Sequence, residues 1–153
     1  MSSNTNMSYM FHGSKSQFNQ PIGNWNTSKV TNMAEMFTNN PVFNQDIGNW
    51  DVSGVTNMRN MFENVTGFNN GGSSSITGWD TSSCTNMQSM FYKCNAFNQP
   101  IGSWDVGNVT TMYRMFWVNI GKNNPFDLNL SNWDTSSLTT AYGMFVRRGN
   151  SRS

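Results

Sequence analysis

A column of acidic residues carries the most regular chemistry in the sequence. If the units that carry these residues stack, neighbouring carboxylates lie about 5 Å apart, and oxygen ligands of this kind suit Ca²⁺. The alternative is that each carboxylate caps its own turn, because Asp-x-Ser places the carboxylate beside backbone N–H groups. An amide replaces the acid in one unit and a second carboxylate does not recur in every unit, so we expect turn caps and predict no metal or other cofactor. The column follows five tryptophans and consists of Asn26, Asp51, Asp80, Asp105 and Asp134.

The other polar residues predict no catalytic centre. The single histidine, His12, has no acidic residue or cysteine within twenty residues of it, so we expect a solvated loop histidine rather than a base or a ligand. Cys84 and Cys94 have a spacing that fits no zinc site and are too few for a disulfide framework, so free thiols are expected. No nucleophile elbow, phosphate-binding loop or dinucleotide fingerprint occurs. The sequence therefore predicts a protein that is not an enzyme.

The residues around the acidic column belong to an internal repeat. The five tryptophans that define it are 25, 29, 25 and 29 residues apart, and a Met-Phe pair follows each of them by eleven residues. A valine, cysteine or leucine stands five residues after the tryptophan, and a threonine follows it directly. The threonine column consists of Thr5, Thr31, Thr56, Thr85, Thr110 and Thr139. A repeat of this period predicts stacked units, because one unit alone cannot bury its apolar face.

Each unit is predicted to contain a short strand and a short helical turn. Val, Met, Met and Phe at positions i, i+3, i+6 and i+7 form one face of two helical turns, and the threonine after the valine suits an N-cap. The stretch Phe-Asn-Gln-Pro/Asp-Ile-Gly-x-Trp is short and rich in strand formers, which predicts an extended segment. Cys84 takes a valine position in this pattern, so we expect it to be buried as a small hydrophobe.

The motifs W-D-V/T-S-x-V-T-N-M-x-x-M-F and F-N-Q-P/D-I-G-x-W resemble the Mycoplasma-lipoprotein-type repeat, domain of unknown function 285, a relative of the BspA-like leucine-rich repeats. The resemblance runs from about Asn4 to Phe145. It implies an α+β repeat solenoid, a leucine-rich-repeat-like right-handed coil of units of about 25 residues. It also implies no enzymatic activity, no functional residues to carry over, and a setting on a microbial surface or in a virion.

The repeat predicts a single solenoid domain over residues 1–153. The net charge is +1 and 11% of the residues are charged, so the chain has no field that would favour nucleic acid. No apolar run reaches the length that crosses a bilayer, and we expect no signal peptide or lipidation cysteine, which leaves the compartment open. The predicted units are about 4–24 (partial), 25–49, 50–78, 79–103, 104–132 and 133–145, with a polar basic tail at 146–153.

Two insertions are the first candidate binding elements. They lengthen the repeat within residues 69–75 and 117–125, and loops that leave a rigid repeat are common binding sites. Trp117 is the single tryptophan outside the repeat column, and packing against its own unit is the alternative for it. The candidate contact residues are Asn69, Asn70, Trp117, Asn119, Lys122, Asn123 and Asn124.

The two ends of the stack are the second candidate interface. Terminal units of a stack need polar caps, whereas both ends here are expected to expose apolar side chains to a partner chain or a second copy. We therefore expect a scaffold for protein–protein or surface interaction, an adhesion-type module. The alternatives are a virion structural protein, such as a capsid decoration or tail component, and a threonine face that binds ice or carbohydrate. The end residues are Met7, Met10, Phe11, Trp133, Leu138 and Met144.

Overall fold

Successive repeats lie side by side and are joined by parallel backbone bridges. The structure is a computed structural model that describes residues 4–13, 17–119, 129–145 and 147–148. Around one bridge, the Thr56 N–H donates to the Thr31 carbonyl at 2.9 Å and the Met33 N–H donates to the Asn57 carbonyl at 3.0 Å. Because the same bonds recur from one repeat to the next, the backbone groups of each repeat are paired with its neighbours. The bridged pairs are Asn6–Asn32, Asn32–Asn57, Asn57–Asn86, Asn86–Thr111 and Thr111–Thr140.

Regular secondary structure is scarce, and most of the described chain consists of turns and irregular segments. Short 3-10 helices span Asn70–Gly72, Ser74–Gly78 and Ile101–Ser103. Two strands, β1 (Val118–Asn119) and β2 (Arg147–Arg148), pair in parallel. The ranges that the structure describes contain no α-helix. The predicted α+β solenoid, with a strand and a helical turn in every leucine-rich-repeat-like unit, is therefore wrong.

The predicted helical turns are replaced by two consecutive β-turns. In the second repeat the Met36 N–H donates to the Met33 carbonyl at 3.3 Å, and the Asn40 N–H donates to the Phe37 carbonyl at 3.0 Å. The third residue of the first turn, Glu35, has a φ of 56°, which is left-handed and incompatible with an α-helix. Each turn advances the chain by three residues and returns a side chain to the core, so the i, i+3 spacing of the methionines arises without a helix. Equivalent positions with positive φ are Tyr9, Asn60, Ser89, Arg114 and Gly143.

Within the described ranges, the predicted strand before the tryptophans is also absent. The chain turns there, and the Trp50 N–H donates to the Ile47 carbonyl at 3.1 Å. The asparagine of this stretch has a specific role, because Asn44 Oδ1 accepts a hydrogen bond from the backbone N–H of Asn69 at 2.8 Å. Asn69 Oδ1 accepts in turn from the Asn98 N–H at 2.7 Å. This asparagine column therefore joins neighbouring repeats through side-chain amides rather than through strand pairing.

The threonine column does not cap helices. Thr56 Oγ1 donates to the Thr31 carbonyl of the preceding repeat at 3.3 Å, and its side chain is exposed. The residue after it has the role that we predicted for threonine, since Asn57 Oδ1 accepts from the Arg59 N–H at 3.0 Å. A threonine hydroxyl can rotate to donate, whereas an asparagine oxygen can only accept. The threonines therefore join repeats, and the asparagines that directly follow them close turns.

The core consists of two stacked columns of phenylalanine rings. In the first column Phe62 stacks on Phe91 with centroids 5.5 Å apart, and in the second Phe68 stacks on Phe97 at 5.9 Å. The two columns touch within each repeat, as Phe62 and Phe68 do at 4.1 Å. Buried aromatic side chains of this size supply much of the apolar stabilisation of a small domain. The core is therefore one continuous cluster that runs through the repeats.

The cysteines are part of this core. Both Cys84 and Cys94 are free thiols and buried, which confirms the prediction for Cys84 as a small hydrophobe in the valine column. Burial raises the pKa of the Cys84 thiol to about 12 and that of Cys94 well above its ordinary value. Neither thiol is therefore poised to react at neutral pH.

Candidate binding surface

The aspartates after the tryptophans cap turns, as predicted. Asp51 Oδ1 accepts hydrogen bonds from the Ser53 N–H at 3.0 Å and from the Ser53 hydroxyl at 2.6 Å. The hydroxyl bond, followed by the N–H bond, holds the pKa of Asp51 below its ordinary value. Asp80 makes the same two bonds to Ser82. Across the described residues, no group of three or more His, Cys, Asp or Glu side chains is placed to hold a metal ion.

The side chain of His12 is exposed, and its ring lies 5.6 Å from that of Tyr9. The His12 backbone N–H closes a turn to the Tyr9 carbonyl at 3.1 Å. This is the position of a solvated loop histidine beside an aromatic ring.

The first insertion is tied down by its own asparagines. Asn70 is fully buried, and its amide donates to the Ser73 carbonyl at 2.9 Å and to Ser75 Oγ at 3.0 Å. The expectation that Asn70 contacts a partner is therefore corrected, because it presents no surface. Asn69 is half-buried and accepts from Gln99 Nε2 at 3.1 Å. Its polar atoms bond within the stack.

The second insertion is described only in part. Trp117 is half-buried, and Asn119 lies at the end of β1. The remaining predicted contact residues, Lys122, Asn123 and Asn124, lie outside the described residues.

The first end of the stack presents less apolar surface than predicted. Met7 is fully buried, because the second repeat covers it and the Met7 N–H donates to the Asn32 carbonyl at 2.9 Å. Met10 and Phe11 are half-buried against the core, with the Phe11 ring stacked on Phe18 at 3.9 Å. Met7 is thus a core residue rather than an interface residue.

The last repeat is more open. Trp133 is 8% exposed, so it too belongs to the core, while Leu138 and Met144 are half-buried against it. Phe145, which the prediction did not include, is 58% exposed although its ring stacks on Phe116 at 5.4 Å. The apolar surface of this repeat is therefore centred on Phe145 rather than on Trp133.

A cluster of aromatic rings covers one side of the last three repeats. Tyr92 and Trp117 each follow the Met-Phe pair of their repeat, so stacking brings their rings to 6.1 Å of one another. Tyr113 and Tyr142 occupy another shared position, and their rings stack at 5.9 Å. Of these four rings, Tyr142 is the most exposed at 71%. Equivalent positions in earlier repeats carry no tyrosine or tryptophan and hold Ser8, His12, Ala34, Thr38, Arg59, Glu63 and Gln88.

Two cations lie on these rings. Lys93 Nζ is 5.2 Å from the centroid of the Tyr92 ring. The guanidinium carbon of Arg114 is 4.9 Å from the Tyr113 centroid and 4.8 Å from the Trp117 centroid, so one cation contacts both aromatic columns. Attraction of a cation to an aromatic face contributes about 0.5–2 kcal/mol. We call Tyr92, Lys93, Tyr113, Arg114, Trp117 and Tyr142 the aromatic–basic patch.

Sequence reasoning located one member of this patch, Trp117, and missed the other five residues. A signal was present, because the two columns beside the methionines change from small or polar to aromatic in the later repeats. The juxtaposition was not visible, because Tyr92 and Trp117 are distant in the sequence and meet only through stacking.

Comparison with known proteins identifies a family. No curated protein and no solved structure matches the chain. A family model described as Mycoplasma protein of unknown function, DUF285, matches it over residues 1–75 and 72–151. The two matches together cover nearly the whole sequence, and they agree with the resemblance carried by the repeat motifs. The chain therefore belongs to the DUF285 family.

Proposed function

We propose that the chain is a non-enzymatic scaffold for protein–protein interaction and that the aromatic–basic patch is its contact surface. The supporting observation is the placement of Arg114 between Tyr113 and Trp117, with Tyr142 exposed beside them. Tyr, Trp and Arg are the residues most enriched among those that dominate the energy of protein interfaces.

The rest of the repeat supports this assignment by its other roles. The tryptophan, methionine and phenylalanine columns form the core, and the threonine and asparagine columns join the repeats. The aspartates close turns. These roles use the repeated residues for folding, so the positions that vary between repeats are the ones available to encode a function.

The patch also has the physical character of an interface before binding. Its rings and cations already contact one another, so less side-chain freedom is lost when a partner arrives. No helix among the described residues is both long and apolar enough to cross a membrane.

The test is a binding measurement with a partner captured by cross-linking and identified by mass spectrometry. We expect Tyr142→Ser to raise the Kd for the purified partner about tenfold, since removal of an interface tyrosine costs more than about 1 kcal/mol. Tyr9→Ser is the matched control, because Tyr9 is also exposed, at 53%, but lies in the first repeat. Equal Kd values for the wild type and Tyr142→Ser would contradict the proposed surface.

A further inference from the structure

We infer that the aromatic–basic patch binds an acidic segment of its partner, with Lys93 and Arg114 receiving the carboxylates. This inference rests on the proposed function and adds the chemistry of the partner. The following observations support it.

The two cations have no carboxylate partner among the described side chains. The ion pair found among the described side chains joins Arg59 to Glu35, at 3.9 Å. Lys93 and Arg114 contact aromatic rings instead. A guanidinium has five N–H donors and matches a carboxylate in its geometry, so such a group is the natural complement here.

The cations are also held in place. The Arg114 guanidinium lies against two rings, and the Lys93 ammonium lies over the Tyr92 ring. The Lys93 N–H additionally donates to the Trp117 carbonyl of the next repeat at 2.6 Å. These contacts fix the spacing of the two charges relative to the rings, which lowers the entropic cost of binding a carboxylate.

The occupied ring faces argue for a peptide rather than a sugar. A sugar platform needs an open aromatic face, whereas the Arg114 guanidinium covers faces of Tyr113 and Trp117. A side chain at Gly143 would place its Cβ 3.4 Å from the Trp117 ring, so the backbone of the last repeat lies close to that ring as well. Cation N–H groups, ring edges and tyrosine hydroxyls remain, and these suit carboxylates and peptide carbonyls.

The acidic residues that the structure describes already have hydrogen-bond or ion-pair partners within the chain, which argues for a different protein as the partner. Glu35 pairs with Arg59, and Glu63 accepts a hydrogen bond from the Asn60 amide. In the aspartate column, Asp51, Asp80 and Asp134 accept from serines of their own turns, and Asp105 accepts from the Gly107 N–H. A second copy would therefore have to give up existing contacts at the glutamates to supply carboxylates.

The first test uses a fluorescently labelled peptide of alternating Glu and Gly, with an alternating Gln and Gly peptide as its uncharged match. We expect fluorescence anisotropy to show binding of the Glu peptide to the wild-type protein, at least about tenfold tighter than the Gln peptide. Binding should weaken as salt is raised from 0.05 to about 0.5 M, because the Debye length shortens. Equal affinity for the two peptides would overturn the inference.

The second test compares two single-charge variants. Lys93→Gln should raise the Kd for the Glu peptide about fivefold, whereas Lys29→Gln removes the same charge from an exposed turn in the second repeat and should leave it unchanged. Arg114→Lys, which keeps the charge and loses the planar fork, should weaken binding about tenfold. Equal losses for Lys93→Gln and Lys29→Gln would show a general charge effect and contradict a site at Lys93.

Two further outcomes would reassign the occupant. Binding of polygalacturonate without binding of the Glu peptide would overturn the peptide in favour of an acidic polysaccharide. A dimer of the wild type by light scattering that Lys93→Gln disrupts would make the occupant a second copy. If Tyr142→Ser loses partner binding but the Glu and Gln peptides bind the wild type equally, the proposed function stands and only the inference of an acidic segment is overturned.

Discussion

The indole Nε1 of Trp79 donates a hydrogen bond at 3.0 Å to the backbone carbonyl of Ile47, in the turn that leads into Trp50, the tryptophan of the preceding repeat. Both groups are buried, and the same bond joins Trp104 to Ile76 at 3.0 Å. The isoleucine column supplies the carbonyl and the tryptophan column supplies the indole donor, so this bond links the two columns. The Ile47 carbonyl also accepts the Trp50 N–H at 3.1 Å, so the indole is its second donor. The bond also satisfies the buried indole N–H, which would otherwise lack a partner.

The first prediction removes this donor. Trp79→Phe keeps an aromatic ring but removes one of the two donors to the Ile47 carbonyl, which retains the Trp50 N–H. We expect a loss of about 0.5–1.5 kcal/mol in the free energy of unfolding, the net contribution of one hydrogen bond. Urea denaturation measures the change. Tyr142→Phe is the control, since Tyr142 is exposed and its change should stay within about 0.5 kcal/mol. Equal effects in the two variants would mean that the indole bond has no special role.

The second prediction concerns the stacked core. Phe91 is 1% exposed and stacks on Phe62, Phe97 and Phe116 at 5.5, 4.1 and 5.7 Å. Phe91→Ala should therefore destabilise the domain by about 3–5 kcal/mol. Phe145→Ala, at the exposed end of the same column, should cost clearly less. A loss below about 1 kcal/mol for Phe91→Ala would contradict the packing described.

The third prediction distinguishes the observed turns from the helix that the spacing suggested. Ser89 has a φ of 52°, a conformation that glycine adopts without strain. We expect Ser89→Gly to be more stable than Ser89→Ala by about 1 kcal/mol. Inside an α-helix the order would reverse, because alanine is favoured over glycine there by about the same amount. The sign of the difference in thermal or urea unfolding decides.

The fourth prediction concerns the aspartate column. Asn26 Oδ1 accepts from the Ser28 N–H at 3.1 Å and from its hydroxyl at 2.7 Å, the arrangement that Asp80 makes with Ser82. Asp80→Asn should therefore change the free energy of unfolding by less than about 0.5 kcal/mol. EDTA should leave the Tm of the wild type unchanged. A large fall in Tm with EDTA would replace the turn caps by a calcium ladder.

The fifth prediction is a pH dependence at the first insertion. Asp46 Oδ1 accepts from Ser75 Oγ at 2.6 Å and from the Gly48 N–H at 3.0 Å, and the Ser75 bond is the main cause of a lowered Asp46 pKa. Because the folded-state pKa lies below the unfolded one, this stabilisation is present above about pH 4 and is lost as pH falls through the folded pKa.

Unfolding of the wild type and Ser75→Ala at pH 7 and at about pH 3 measures this effect. The wild type should lose more stability than Ser75→Ala on acidification, because the variant lacks the bond that favours the ionised Asp46. An identical pH dependence in the two proteins would show that Ser75 does not hold the carboxylate.

The apolar columns could be predicted from the sequence because burial depends mainly on residue type and period. Phe62, Met58 and Cys84 are buried where the repeat places them. The turn at Asp51 could also be predicted, since Asp-x-Ser closes it locally. The backbone between Met33 and Met36 could not be, because an i, i+3 spacing is shared by helical turns and by consecutive β-turns. Residues with a positive φ, such as Glu35 and Ser89, could not be recognised from their amino-acid type.

The same limit applies to the candidate site. Trp117 stood out because it is the single tryptophan outside the repeat column. Its neighbours in space, however, are set by the register in which the repeats stack. Arg114 reaches both Tyr113 and Trp117 because its own turn places them on either side of it. Tyr142 stacks on Tyr113 but belongs to the next repeat. The sequence pattern of a single unit therefore does not show that these residues are neighbours.

The ladders that join the repeats also constrain how the length of such a gene can change. Each unit bonds to its neighbours through the same atoms, as Trp79 does to Ile47 and Thr56 to Thr31. Duplication or deletion of one whole unit by unequal crossing-over preserves every ladder, whereas a shift of a few residues at the threonine bridge breaks them all. The small insertion before Trp79 is accommodated where the chain leaves the ladders, in the turns around Asn70–Gly72. Natural length variants of this chain should therefore differ by whole units or within the two insertions, at residues 69–75 and 117–125.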